Sequence, residues 1–220
     1  MIEELEKTFY DYSLTDDLGY LPAISKEQAE ELFSFFRDCT LFRWRDANND
    51  CEDRANAICL LLDAWHMPNC KAWVFSGFFL NKGWGSLSNF WNYHVAAAVP
   101  VMEQTGLVYY VLDPATLSDL NNVYHWANGI TAEAYSYHLI KHGNYYIFPP
   151  GKIYRDNWFR RNRQNFKWTI QGLSGINGVS KTGKAQVCFN KSRIGKTEKS
   201  FYDLMRHKPF LPSFQVNSVA

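Results

Sequence analysis

Three residue types that together can cleave an amide occur in order along the chain, at Cys51, His94 and Asp113. They stand in the runs Asp50-Cys51-Glu52-Asp53-Arg54-Ala55, Trp91-Asn92-Tyr93-His94-Val95 and Val111-Leu112-Asp113-Pro114. A thiol supplies a nucleophile, an imidazole a proton carrier, and a carboxylate the group that orients the imidazole. Cys51 opens a stretch in which Ala55, Ile58, Cys59, Leu62 and Trp65 keep a 3.6-residue period, so a helix over about 51–65 is expected. Backbone N–H groups at a helix start lack partners and the dipole there is positive. Both favour a thiolate, and the same N–H groups can hold an oxyanion. The ordinary reading of a single cysteine on such a helix is packing, and Cys39, Cys59, Cys70 and Cys188 receive only that reading.

His94 lies in the alternating apolar run Trp91–Val101, a strand pattern, and Val108–Leu112 reads as a second strand. Glu103-Gln104-Thr105-Gly106 suits a hairpin turn between them. A turn centred between Glu103 and Gln104 sets His94 opposite Asp113, and opposed residues project to one face. The plainer readings are a satisfied core histidine and a strand-ending Asp-Pro turn.

The supporting elements follow from local signals. Residues 2–10 have weak helical character, and 15–22 read as a loop. Ser25 with Gln28 three residues later forms a capping-box pattern before a helix reaching about Cys39. Asp46–Asp50 is a polar turn, Lys71–Phe75 a strand, and Asn81–Asn89 a Gly- and Ser-rich loop. Thr131–His142 is read as a helix capped by Thr131. Short aromatic strands are expected near 145–148, 166–171 and 185–189, then a helix over about 198–206. The implied organisation is an N-terminal helical region (1–45), a catalytic core (46–150), a C-terminal extension of the same domain (151–210) and a tail (211–220).

With 46% hydrophobic and 17% aromatic residues among 220, the chain can bury a large core. Its net charge of +1 gives no electrostatic case for nucleic acid or a membrane surface. No apolar run approaches the ~20 residues needed to span a bilayer. The acidic start, Met1-Ile2-Glu3-Glu4, lacks the basic and apolar regions of a signal peptide. Five cysteines without paired spacing argue against a disulfide framework. A cytoplasmic location, or export without a classical signal, is expected. A secreted chain trimmed of its signal would read the same.

A thiol at a helix start followed by His and Asp on adjacent strands is the order of a papain-like site. The three runs also resemble the catalytic blocks of the bacterial protein-glutaminase family. Cys51 is followed closely by Arg54-Ala55, the histidine block reads Tyr93-His94-Val95-Ala96, and the acid block is Asp113-Pro114. The resemblance covers roughly residues 45–130 and implies an α+β, transglutaminase-like papain fold. In that fold a helical lobe carrying the catalytic Cys at a helix N-terminus packs on an antiparallel sheet carrying His and Asp. It further implies deamidation of protein-bound glutamine, with Cys51 as nucleophile, His94 as general acid and base, and Asp113 as orienter. The substrate would be a protein or peptide with an accessible Gln, and neither metal nor organic cofactor is needed. A transglutaminase or a cysteine peptidase on the same fold, or a non-catalytic binding module, would carry the same signals. Trp44 and Trp91 are candidates for lining the substrate slot, with ordinary core packing as the plainer reading.

Three further patterns are set aside. Gly178–Ala185 nearly matches a phosphate-binding loop, but Ala185 replaces the required Ser or Thr, and the following residues alternate like a strand. Arg155–Trp168 interleaves basic and aromatic residues, a pattern that can bind single-stranded nucleic acid or an acidic protein. His138 and His142 have a zinc-compatible helical spacing but no third ligand nearby.

Overall fold

The computed structural model describes residues 22–45, 51–80, 93–131, 137–142, 163–176 and 184–214. Helix α1 (Lys26–Asp38) starts with the expected capping box. The Ser25 hydroxyl accepts from the Gln28 N–H, and the Gln28 side chain accepts from the Ser25 N–H. A short 3-10 turn, Thr40–Phe42, follows. Helix α2 (Cys51–Ala64) is buried on nearly every side, as expected of a helix at the centre of a domain. Unusually, its buried residues include Asp53, Arg54 and Asn56, all in its first two turns.

Among the described residues five strands follow, β1 (Cys70–Phe75), β2 (Tyr93–Glu103), β3 (Gly106–Leu112), β4 (Asn121–Asn122) and β5 (Tyr137–His142). They form one sheet in the order β4-β3-β2-β1-β5, and every neighbouring pair is antiparallel. Along β2, Val95, Ala97, Val99 and Val101 face α2 and α1, while Ala96 and Ala98 face α3 (Val123–Ile130) on the other side. The helices α4 (Arg163–Leu173) and α5 (Lys184–Arg206) pack against α2 and complete the larger helical layer. Mixed helix and antiparallel sheet is the α+β class expected.

Several expectations are corrected. The helix expected over Thr131–His142 is not found at either end: Thr131 closes α3, its hydroxyl donating to the Ala127 carbonyl at 2.9 Å, and 137–142 pair with β1. Pairing with β1 decides the conformation of 137–142. His138 and His142 are thus separated along a strand by about 13 Å of backbone, which removes the helical zinc spacing. The regions near 166–171 and 185–189 are helical rather than extended. In α4, Phe166, Ile170 and Leu173 fall on one helical face against the core. The alternation at 186–189 therefore does not speak against a phosphate loop, though Ala185 still does. Residues 211–214 are docked: Leu211 is buried, and the Ser213 N–H and hydroxyl both donate to Glu31 of α1. The segments 2–10, 15–21, 46–50, 81–92, 132–136, 145–148 and 155–162 lie outside the described residues.

Candidate active site

The site is set by where β3 stops. β3 pairs with β2 from Glu103↔Gly106 to Ala97↔Leu112 and goes no further. The next residues are Asp113-Pro114. Proline has no N–H to donate, and it restricts the residue before it, so the ladder cannot continue past Leu112. On that side β2 runs four residues further, from Ala96 back to Tyr93, paired with β1 but without β3 beside it. The first turn of α2 meets β2 there. Cys51 packs with Ala55, Trp73 and Val95, and the Val95 backbone N–H faces its sulfur.

The hairpin register differs from the expected one by two positions. The turn residues are Gln104 and Thr105, so Asp113 falls level with Ala96 rather than His94. A two-residue slip keeps side chains on the same face, and the two groups meet diagonally. His94 Nε2 lies 2.9 Å from Asp113 Oδ2, both residues being buried. The same carboxylate oxygen accepts from the Thr116 hydroxyl at 2.5 Å, and that hydroxyl oxygen accepts from the Trp126 indole N–H at 2.9 Å. The Trp126 ring packs 5.7 Å from the imidazole. Burial works against an ionised Asp113, but hydrogen bonding and charge from His94, then the Thr116 hydroxyl, outweigh it and hold the carboxyl below its usual range. An ionised carboxylate only accepts, so the proton of the neutral ring resides on Nε2 and Nδ1 is the basic nitrogen.

Cys51 corrects one expectation. Burial raises the thiol well above its ordinary value, and the Glu52 charge raises it further. The Val95 N–H and the Arg54 charge act in the opposite sense but do not prevail. The resting residue is a thiol, not a thiolate stabilised by the helix start. It donates to Glu52 Oε2 at 3.3 Å, while Glu52 Oε1 accepts from the Tyr93 hydroxyl at 2.5 Å. Glu52, itself held by Tyr93, thus anchors the sulfur.

Residues 29–130 match the family model described as Glutaminase. All three blocks fall inside that span. No curated protein matches the sequence. Among solved structures, protein-glutaminase from Chryseobacterium proteolyticum superposes with a TM-score of 0.52 at 16% identity, covering 73% of this chain and 92% of that one. A pro-protein-glutaminase structure gives 0.52 at 18% identity, with 74% of this chain and 64% of that chain covered, so this chain spans less than two thirds of the pro-form. A mutant of pro-protein-glutaminase gives 0.54 at 16% identity, over 75% and 63% of the two chains. The resemblance read from the three blocks is therefore borne out, and the fold is that of protein-glutaminase.

Of the proposed slot residues, Trp44 is buried. It stacks on Phe42 at 5.2 Å, its indole N–H donates to Phe36, and the Arg54 guanidinium lies 5.5 Å from its ring centre. It therefore braces the start of α2 through Arg54. Trp91 lies outside the described residues. Sequence reasoning missed Glu52, Tyr93, Thr116 and Trp126. Thr116 had a signal, since a hydroxyl three residues after an Asp-Pro is placed to fold back on the carboxylate. Trp126 had none, because its contact depends on α3 crossing the sheet. All five cysteines are thiols rather than disulfides. Among the described residues, no group of three metal-binding side chains gathers, and no helix is long and apolar enough to cross a membrane.

Proposed function

We propose that the protein hydrolyses the side-chain carboxamide of protein-bound glutamine, with Cys51, His94 and Asp113 as its catalytic residues. The observation that carries this reading is the buried His94–Asp113 pair beside the point where the α2 start meets β2. The match of residues 29–130 to the Glutaminase family model supports the choice of reaction.

The chemistry follows from the tautomer. His94 Nδ1 takes the Cys51 proton as the sulfur attacks the carboxamide carbon. Because the resting group is a thiol, its deprotonation accompanies the attack instead of preceding it. The oxyanion falls near the N–H groups at the start of α2. The imidazolium, stabilised by Asp113, then protonates the amide nitrogen, and the C–N bond breaks to release ammonia. A thioester remains. Water, deprotonated by His94, attacks it, and the proton returns to sulfur as glutamate leaves. A transglutaminase would differ only in admitting an amine to the thioester, and a peptidase in accepting a backbone amide.

Ammonia release from a glutamine-rich protein, compared with free glutamine and with peptide-bond cleavage of the same protein, tests the proposal. Ammonia from the protein without new chain ends is expected. Cys51→Ala should abolish it, and Cys59→Ala should leave it within a few-fold. Activity that survives Cys51→Ala and disappears in Cys59→Ala would mean the nucleophile is misassigned. Chain cleavage without ammonia would assign a peptidase.

A further inference from the structure

One charged group at the site is not used by the proposed reaction. Glu52 follows Cys51 directly, and its Oε2 lies 3.3 Å from the sulfur. The other oxygen, Oε1, accepts from the Tyr93 hydroxyl at 2.5 Å. Tyr93 precedes His94 in β2, and its ring packs 5.4 Å from Trp73 and 6.1 Å from Phe75. A ring lodged against two others has little freedom, so the carboxylate it holds is fixed in place. An acidic residue is favourable in the first turn of any helix. That accounts for a Glu at position 52, but not for its being turned to the sulfur. The charge also hinders the nucleophile, since it adds to burial in raising the Cys51 thiol.

A charge that hinders attack, yet is held at the sulfur, points to a role in what binds there. The side-chain carboxamide of glutamine is neutral and brings two N–H donors to a carboxylate. Hydrolysis consumes water, releases the nitrogen as ammonium and leaves a carboxylate. That product only accepts hydrogen bonds and carries a negative charge. Reacting atoms of a bound substrate stand about 3–3.5 Å apart. With Oε2 at 3.3 Å from the sulfur, the product carboxyl carbon forms no more than about 7 Å from it. Two unit charges about 7 Å apart in water repel enough to shift an equilibrium about threefold, and more where protein displaces solvent. We propose that Glu52 is a specificity-determining residue, whose carboxylate admits the neutral carboxamide of glutamine to the sulfur and turns away the carboxylate of the glutamate product.

This inference rests on the glutaminase reading and deepens it. The thiol and the phenol that donate to Glu52 are neutral and leave its charge in place. The site's other carboxylate, Asp113, is buried and taken up by His94 and Thr116. Glu52 is half-buried, next to the sulfur itself. Product rejection matters for a protein substrate in particular. Each glutamate formed stays on the same chain as the glutamines still to be converted, so product accumulates beside the enzyme. A product that is turned away vacates the sulfur for the next side chain.

Two peptides that differ only in Gln against Glu at one position are the probes. Ammonia release gives KM for the Gln peptide, and inhibition of that release gives Ki for the Glu peptide. The ratio of Ki to KM is the readout, since a general loosening of the site moves both alike. In Glu52→Gln the ratio should fall at least about threefold. Glu27→Gln removes the same charge from the exposed start of α1 and should leave the ratio unchanged. Thermal unfolding of both variants checks the fold. A ratio unmoved in Glu52→Gln, or lowered equally in both variants, would overturn the inference. A salt series on the unaltered chain decides the matter if Glu52→Gln does not fold. The ratio should shrink as screening grows, and a salt-independent ratio would overturn the inference too. If the unaltered chain releases no ammonia, the glutaminase reading fails, and the ratio is taken instead from the dissociation constants of the two peptides by isothermal titration. A preference for the Gln peptide that is lost in Glu52→Gln then still assigns the selectivity to Glu52, whereas binding of neither peptide removes it.

Discussion

Replacing Glu52 with glutamine should raise the thiolate fraction of Cys51 at a fixed pH. The carboxylate oxygen is 3.3 Å from the sulfur and stabilises the protonated thiol by charge and by hydrogen bond. Coulomb attraction or repulsion over that distance is roughly 1.3 kcal/mol in water and roughly 5 kcal/mol at an effective dielectric constant of about 20. Glu52 is half-buried, so solvent screens it and the lower figure is the better guide. That corresponds to about a tenfold increase in thiolate. Glutamine keeps the shape and still accepts from the Tyr93 hydroxyl, so packing should change little. The assay is the rate of iodoacetamide alkylation at Cys51 as a function of pH, with the labelled peptide identified by mass and the exposed Cys188 replaced by serine. The unaltered chain should alkylate slowly near neutral pH. In Glu52→Gln the profile should move to lower pH with its plateau unchanged. A higher plateau at the same midpoint would mean that the substitution merely opened the site. An unmoved profile would show that Glu52 does not govern the sulfur, and the resting arrangement described for it would be wrong.

Asp113→Asn should cut ammonia release on the order of 10²-fold or more while Tm changes little, since the shape is kept and the charge that stabilises imidazolium is lost. Steady-state rates and thermal unfolding of the same preparation check both halves. Gly172→Ala should destabilise the fold by about 2–4 kcal/mol in urea denaturation, because an added Cβ would sit 1.8 Å from the buried Asp53 carboxylate. Helix propensity alone predicts the opposite sign, about 1 kcal/mol in favour of alanine, so a stabilised variant would refute the close approach. Stability should also fall at both ends of the pH range. Asp113 is lowered on folding, so its contribution is present above about pH 4 and is lost as pH falls through the folded value. Cys51 and Cys70 are raised by burial, so theirs is complete below about pH 8.5 and is lost as pH rises beyond it. Urea midpoints measured across pH would read both limbs, and Cys70→Ala should flatten the alkaline one.

What the sequence revealed depended on whether the controlling interaction was local. Ser25 and Gln28 cap α1 within four residues, and the period from Cys51 to Trp65 defines α2 without help from elsewhere. The hairpin was legible in outline. Turn chemistry located it to within a residue, and because side chains alternate, a register wrong by two still placed His94 and Asp113 on one face. The failures came where a distant partner decides. β5 is extended because β1 is beside it, and Phe166, Ile170 and Leu173 face the core from α4, a helix that no capping signal announced. The state of Cys51 was misjudged for the same reason. A helix start favours a thiolate, but burial and the neighbouring carboxylate are properties of the folded surroundings.

The halt of β3 at Asp113-Pro114 has a consequence for the sulfur beyond reactivity. A strand that loses its neighbour leaves backbone groups in need of partners, and here the Val95 N–H is turned to Cys51. The sulfur thus stands in for a missing rung of the sheet. Any movement that carries it toward a substrate withdraws that partner, and its return restores it. If Cys51 is the nucleophile proposed above, the sheet would act as a spring on it, drawing it home after each cycle.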